Sequence, residues 1–165
     1  MVLWPAGMAV VIVWYVFRDP AIDYRLVVAG ALLPDLVDGP LGGARLLHTL
    51  AFSAALLFVV MLATRRRRHA RRRWLAVPIG TFVHLLLDGM WTSTHTFWWP
   101  LFGWHLGATL PALDHGPVVL ALEELAGAGA LVWCWRRFGL GEPSRRAAFL
   151  RTGRLPRDLV GGAGC

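Results

Sequence analysis

The sequence has no lysine and few charged residues of either sign. All 17 of its basic residues are arginine, and there are 10 acidic residues. Only 16% of the residues are charged, whereas a typical soluble domain has about 25%. We interpret the missing lysine as a sign of a high-GC coding sequence and not of mechanism. The low charge argues against an ordinary soluble domain.

Cysteine is scarce as well. Cys134 lies in an apolar run and Cys165 is the last residue; this spacing fits neither a disulfide framework nor a cysteine-based zinc site. No basic residue precedes the first apolar run, which argues against a cleaved signal peptide. We therefore expect that run to be a retained membrane helix.

Long apolar runs fill most of the chain. Hydrophobic residues make up 56% of the sequence, and its mean hydropathy is +0.53. Four runs approach the length of about 20 residues that crosses a bilayer: 2–17, 48–63, 74–91 and 117–135. A fifth run, 24–33, is too short to cross and ends at Pro34. The sequence predicts an all-α membrane protein with about four transmembrane helices and one short half-helix or re-entrant segment.

The connecting segments indicate the domain organisation. Residues 1–138 form a single helical membrane domain in this interpretation, and 139–165 form a basic, flexible tail. The segment 92–115 is rich in aromatic residues and predicts an outer loop at the membrane interface.

A block of arginines at 65–73 separates two apolar runs. Under the positive-inside rule this block and the basic tail are cytoplasmic, which predicts a multi-pass protein of the bacterial inner membrane. The block also suits anionic lipid headgroups; its place between two apolar runs disfavours nucleic acid as a partner. The same reasoning predicts that the first helix runs outwards, leaving Arg18, Arg25 and Arg45 outside.

Two ionisable residues interrupt the apolar run 74–91. His84 and Asp88 are four residues apart, so on a helix they project from the same face. A buried carboxylate must have a partner, because desolvating it alone costs several kcal/mol or more. A metal ion accepts both side chains, and a simple buried histidine–aspartate hydrogen bond is the alternative.

Other ionisable residues are predicted to lie at the same depth, near the outer surface. They come from separate parts of the chain: Asp35, Asp38, His48, Glu123 and Glu124. Each also has an ordinary alternative as a turn, helix-end or helix-contact residue. At most one of the two glutamates is expected to face such a site, because they lie about 100° apart on a helix. Ionisable groups that converge inside a membrane indicate a functional site.

Four short motifs occur in a meaningful order: GALLPDLVD at 30–38, RLLHT at 45–49, HLLLD at 84–88 and WWPLF at 98–102. This set resembles the YdjM-like family of small inner-membrane proteins, which are described as metal-dependent hydrolases. The resemblance covers about residues 26 to 103. It implies a metal site whose ligands are listed here: Asp35, Asp38, His48, His84 and Asp88. By analogy, the zinc-dependent phospholipase C group adds a glutamate from a late helix, which would be Glu123 or Glu124.

Mixed histidine and carboxylate ligands suit Zn first, with Mn or Fe as alternatives. A bound ion activates water for hydrolysis, and Asp38, Glu123 or Glu124 is the predicted proton acceptor. The depth of the site suggests a lipid or a lipid-linked ester or phosphodiester as substrate. Two non-enzymatic alternatives remain open: a membrane protein with a structural metal or polar cluster, and a metal-ion permease. The sequence does not specify an oligomeric state.

Overall fold

The computed structural model describes residues 1–41, 43–104, 106 and 116–161. These residues form helices and no strand, so the predicted all-α fold is confirmed. The helices are α1 (Leu3–Phe17), α2 (Tyr24–Asp38), α3 (Leu50–Ala63), α4 (Arg68–Trp74), α5 (Ala76–Leu87), α6 (Thr94–Phe97), α7 (Gly116–Arg137), α8 (Pro143–Thr152) and α9 (Asp158–Gly161). Three short 3₁₀ turns, Gly39–Leu41, Leu46–His48 and Met90–Thr92, lie between them.

One described helix, α7, is long and apolar enough to cross a membrane, with a mean hydropathy of 1.5. Helices α1 and α3 are apolar but shorter, with 15 and 14 residues. At 1.5 Å per residue they measure about 22 Å, less than the hydrocarbon core of about 30 Å. By length and composition, the described part of the chain therefore contains one candidate span where the sequence predicts about four.

Helices α2 and α5 are in backbone contact at two glycines. A Cβ atom on Gly30 would lie 2.2 Å from the carbonyl oxygen of Val77, and one on Gly80 would lie 2.2 Å from the carbonyl oxygen of Val27. Because glycine has no side chain, α2 and α5 can approach this closely. Any other residue at either position would clash with the facing backbone. Small residues allow this kind of helix contact in membrane proteins.

Helices α1 and α7 form the second close pair and run in the same direction. The backbone N–H of Val2, just before α1, donates to Glu124 in the first half of α7, and Tyr15 stacks on Trp133 near the ends of both helices. Between these contacts, a Cβ atom on Gly7 would lie 2.4 Å from the nearest carbonyl oxygen of α7. The two pairs pack together along α1 and α2 into a single bundle.

Opposite ends of the bundle differ in chemistry. We call the end that holds the arginine block 65–73 the arginine end, and the end that holds His48 the histidine end. Asp23 at the start of α2 forms an ion pair with Arg73, while Asp35 near its end lies beside His84. Helices α2 and α5 therefore both run from the arginine end to the histidine end.

The loop between α1 and α2 belongs to the arginine end, because Asp19 forms an ion pair with Arg72. The predicted outward direction of the first helix is therefore wrong: α1 ends where the arginine block lies. Arg18 and Arg25 join the block at that end, and Arg45, just before His48, is the arginine left at the histidine end. The charge asymmetry is stronger than the sequence indicated.

Asp23 is nearly inaccessible to solvent, with 1% of its surface exposed. Burial acts to raise the pKa of its carboxyl group, but the hydrogen bonds and charge of Arg25 and the charge of Arg73 outweigh this effect. The pKa therefore lies below its ordinary value of 3.8. The folded state favours the ionised carboxylate.

The segment predicted to be a flexible tail forms α8 and α9 and packs on the arginine end. The N–H of Tyr24 donates to the Gly153 carbonyl, and the N–H of Leu155 donates to the Pro20 carbonyl. Leu155 is buried in the same apolar cluster as residues of α1 and α2. The described part of this tail is thus attached to the bundle through main-chain hydrogen bonds and apolar contacts.

Candidate metal centre

Helix α2 carries two of the predicted site residues because it continues through Pro34 to Asp38, beyond its predicted end at residue 33. Proline has no N–H, so the carbonyl of Gly30 one turn earlier loses its helical donor. The hydroxyl of Thr81 on α5 lies 3.2 Å from that carbonyl oxygen and 3.1 Å from the carbonyl oxygen of Val77, so its proton is shared between the two. A neighbouring helix therefore compensates for the proline, and Asp35 and Asp38 project from the same face.

His48 lies on the 3₁₀ turn before α3 and is fully buried. Its Nδ1 atom lies 2.8 Å from Oδ2 of Asp38. The same oxygen accepts hydrogen bonds from the backbone N–H groups of Arg45, Leu47 and His48, at 3.0, 2.9 and 3.3 Å. Asp38 therefore holds both the turn and the imidazole. With the Nδ1 proton donated to Asp38, the Nε2 lone pair is available to a ligand.

The second histidine comes from α5. His84 is fully buried, and Asp88 at the C-terminal cap of the helix is 4% exposed. Nε2 of His84 lies 3.2 Å from Oδ2 of Asp88. The two residues lie on one face of the helix, as their four-residue spacing predicts.

Four side chains from three parts of the chain meet at one point. Nε2 of His48 lies 3.4 Å from Nε2 of His84, and each of these nitrogens lies 3.6 Å from Oδ1 of Asp35. Asp88 completes the group, in which one ligand atom of each residue lies within 4.8 Å of all the others. We call these residues, Asp35, His48, His84 and Asp88, the metal cluster, because they could hold a metal ion.

The distances within the metal cluster fit a small divalent cation. Zinc binds histidine nitrogen and carboxylate oxygen at about 2.0–2.2 Å, so the ligand atoms of a tetrahedral site lie about 3.3–3.6 Å apart. Four of the six distances among these atoms, 3.2 to 3.6 Å, match that spacing, and all of them lie within 4.8 Å. A nitrogen-and-oxygen ligand set suits Mn and Fe as well as Zn.

Charge and hydrogen bonding favour a cation as well. Within the described part of the chain, the buried Oδ1 atom of Asp88 has no hydrogen-bond partner. Three carboxylates lie here, those of Asp35, Asp38 and Asp88. The cationic group described beside them is the Met1 amino group, 3.6 Å from Asp35, so negative charge is in excess. Unpaired buried carboxylates are strongly unfavourable, and a divalent cation would compensate for the excess negative charge.

Asp35 is the accessible member of the metal cluster. Its side chain is 18% exposed, whereas the side chains of His48 and His84 are completely buried. A substrate or a water molecule would therefore reach a bound ion from the side of Asp35.

Other predicted site residues lie in different surroundings. Asp38 is adjacent to the metal cluster, but its described contacts are those that hold His48 and its turn. The carboxylate of Glu124 accepts hydrogen bonds from the N–H groups of Val2 and Leu3, at 2.8 and 3.0 Å. It thus caps the N-terminus of α1, where N–H groups lack helical partners. The role of Glu123 stays a prediction.

The other described histidines, His69 and His95, are separate from the metal cluster. His95 is exposed, with its Nδ1 3.2 Å from the Phe102 carbonyl oxygen. His69 lies on the arginine-rich α4, at the opposite end of the bundle. His105 and His115 lie outside the described residues.

Sequence reasoning missed two features that support the site. The first is Thr81, whose hydroxyl supplies the donor that lets α2 pass through Pro34. Gly30 and Gly80 set the distance between α2 and α5 and hence between Asp35 and His84. A threonine one turn before His84 in an apolar run was the available signal for the first feature.

Comparison of the chain with models of protein families, with characterised proteins and with solved structures finds no match. The resemblance to the YdjM-like family therefore rests on its ordered motifs alone.

Proposed function

We propose that this chain is a metal-dependent hydrolase of the bacterial inner membrane, acting near the outer leaflet on a lipid or lipid-linked ester or phosphodiester. The observation that carries the proposal is the convergence of two imidazoles and two carboxylates in the metal cluster. The resemblance to the YdjM-like family supports the same reaction class. Hydrolysis adds water across the bond, so that one product gains the hydroxyl group and the other the proton.

Exposed apolar surface supports a multi-pass arrangement. Only 17% of the apolar window of α7 is buried, unlike the core helix of a soluble protein. Helix α3 likewise exposes Phe58 and Leu62, which are 68% and 58% accessible. Lipid chains would cover such faces, and a bilayer can thin around spans shorter than its core. We propose that α1, α3, α5 and α7 form the four predicted membrane-crossing segments, and that α2, which also runs from the arginine end to the histidine end, crosses with them.

The arginines give the orientation. The arginine end holds nearly all of them, and the positive-inside rule places that end in the cytoplasm. The metal cluster at the histidine end then faces the outer leaflet. The exposed Trp91, Trp98 and Phe102 follow α5 at the same end, where aromatic side chains suit the membrane interface.

Each residue of the site has a defined part in this proposal. Asp35, His48, His84 and Asp88 bind the ion, and Asp38 positions the imidazole of His48 through its Nδ1 proton. When bound, a divalent cation supplies Lewis acidity and lowers the pKa of water towards about 7. Asp38, Glu123 and Glu124 stay the candidate proton acceptors.

A structural metal site is the second candidate, and the number of ligands favours it. Structural zinc sites hold four protein ligands, whereas catalytic sites keep a position open for water or substrate. The partial exposure of Asp35 favours the catalytic alternative, because a carboxylate at the accessible side can yield a coordination position.

A metal-ion permease has less support, because it would need polar side chains that continue towards the arginine end. On that side of the metal cluster, the described polar side chains on α3 and α5 are Ser53 and Thr81, and Thr81 is engaged with Gly30.

His84→Ala tests the proposal directly, with His95→Ala as the matched control on an exposed histidine. We expect purified metal-loaded protein to hydrolyse at least one lipid ester or phosphodiester in a panel of membrane lipids. His84→Ala should abolish turnover and His95→Ala should retain it. A metal-loaded wild type that is inert towards the panel, while His84→Ala lowers the unfolding temperature, would support the structural alternative instead.

A further inference from the structure

An apolar groove runs along the bundle from the histidine end. It lies between α1, α3 and α5 and has a volume of about 470 Å³, within the range of about 300–1,000 Å³ that is typical of ligand pockets. Its lining is apolar except for one hydroxyl-bearing residue, Ser53. The groove is open at its sides, because Val16, Phe17 and Leu57 on its walls are between 43% and 67% exposed.

The histidine end of the groove is lined by Leu50 on α3 and by Leu86 on α5. Leu86 lies two residues after His84 and therefore on the opposite face of α5 from His84 and Asp88. The groove and the metal cluster thus face opposite sides of α5. From Leu86 the groove follows α5 back to Pro78, a distance of about 12 Å at 1.5 Å per residue, and on α1 it reaches Phe17 at the arginine end.

Ser53 is the polar group of this lining. It is 4% exposed, and its hydroxyl has no hydrogen-bond partner among the described residues. A serine inside a helix usually donates to the carbonyl one turn earlier or faces solvent, and Ser53 does neither. A buried hydroxyl without a partner is unfavourable by about 1–3 kcal/mol. An oxygen atom of a bound molecule would supply the missing partner.

We propose that this groove binds one acyl chain of a membrane lipid, with the ester carbonyl accepting a hydrogen bond from the Ser53 hydroxyl. An ester-linked lipid supplies both features that match the lining: a hydrogen-bond acceptor and a long hydrocarbon chain. The acyl-chain site is independent of the proposed hydrolase activity, because the groove and the metal cluster face opposite sides of α5.

Photolabelling tests the groove without relying on turnover. The protein is placed in phosphatidylglycerol nanodiscs that contain a phosphatidylglycerol with a diazirine in one acyl chain, and labelled residues are mapped by mass spectrometry. Ala54→Trp fills the groove, while Ala55→Trp places the same side chain on α3 outside the lining. We expect groove labelling to fall about tenfold in Ala54→Trp, equivalent to displacing about two methylenes, and to stay unchanged in Ala55→Trp.

A second pair of measurements tests Ser53. Ser53→Ala should weaken binding of an ester-linked phosphatidylglycerol by about tenfold, the effect of one lost hydrogen bond. It should leave binding of the ether-linked analogue, which has no carbonyl, unchanged. Equal effects on both lipids would overturn the assignment of Ser53.

Several outcomes would overturn the groove proposal itself. These are equal labelling of the groove in Ala54→Trp and wild type, labelling confined to other surfaces, and a groove covered by a second copy of the chain, detected as a cross-linked dimer. None of them depends on the reaction. Labelling as expected together with an inert, metal-loaded protein would instead retain the acyl-chain site and reject the hydrolase.

Discussion

Asp38→Asn tests how the buried carboxylate controls the metal cluster. Asparagine has nearly the same shape as aspartate, and its side-chain oxygen can still accept from the N–H groups of Arg45 and Leu47 and from Nδ1 of His48. The turn that carries His48 should therefore remain folded. What the substitution removes is the negative charge 2.8 Å from the imidazole.

The expected magnitude follows from the role of a carboxylate behind a metal-binding histidine. Such a partner fixes the tautomer and raises the basicity of the coordinating nitrogen, and its loss typically weakens metal binding by about 10–100-fold. That factor corresponds to about 1.4–2.8 kcal/mol of binding free energy. Because Asp38 is almost fully buried beside His48, solvent provides little substitute for its charge.

The assay is competition for zinc between the detergent-purified protein and a chromophoric chelator. Asp35→Asn, which alters a direct ligand, should weaken binding by more than Asp38→Asn does. Asp19→Asn is the matched control at the arginine end and should leave the affinity unchanged. Zinc affinity equal to that of the wild type in Asp38→Asn would refute the positioning role of Asp38.

Three further predictions concern the fold. Thr81→Val leaves the Gly30 carbonyl without its donor and should lower the free energy of unfolding by about 1–3 kcal/mol, measured by chemical denaturation in detergent. Gly127→Ala should destabilise by about 1–3 kcal/mol, since its Cβ would lie 2.3 Å from backbone atoms of α1. Gly129→Ala has open space and should be neutral or stabilising; equal losses in the two variants would contradict the packing argument. The ionised Asp23 side chain stabilises the fold above pH 3.8, the pKa of this group in the unfolded chain. This stabilisation is lost as the pH falls through the lower pKa of the folded protein. The unfolding temperature of Asp23→Asn should therefore vary less with pH in the acidic range than that of the wild type, and identical profiles would show that Asp23 does not contribute.

Local sequence patterns predicted the parts of the site that depend on local geometry. The four-residue spacing of His84 and Asp88 fixes them on one face of a helix, and they lie 3.2 Å apart. The apolar runs predicted α1, α3, α5 and α7 to within a few residues at most of their ends. Both results depend on helix periodicity, which a single sequence displays directly.

The continuation of α2 could not be predicted in the same way. Pro34 normally marks the end of a helix, and the local sequence gives no reason to continue. The reason is a contact with another helix: Thr81, 51 residues after Gly30 in the sequence, donates to the Gly30 carbonyl. This tertiary contact overrides a local rule and brings Asp35 to the metal cluster.

The direction of α1 was missed for a related reason. The positive-inside rule assigns arginine-rich loops to the cytoplasm, and the loop after α1 contains few arginines. Its acidic residues, Asp19 and Asp23, decide its place by pairing with Arg72 and Arg73 of the arginine block. The role of Glu124 was missed as well, because its partners are backbone N–H groups of another helix.

Metal content measured by elemental analysis tests the central claim most directly. After incubation with zinc and removal of free metal, the wild type and the Asp158→Ala control, which alters an exposed carboxylate at the arginine end, should each retain about one equivalent per chain. Asp88→Ala should retain almost none while keeping its helical circular dichroism. A wild type that retains no zinc, manganese or iron, or an Asp88→Ala variant that retains as much as the wild type, would contradict the account.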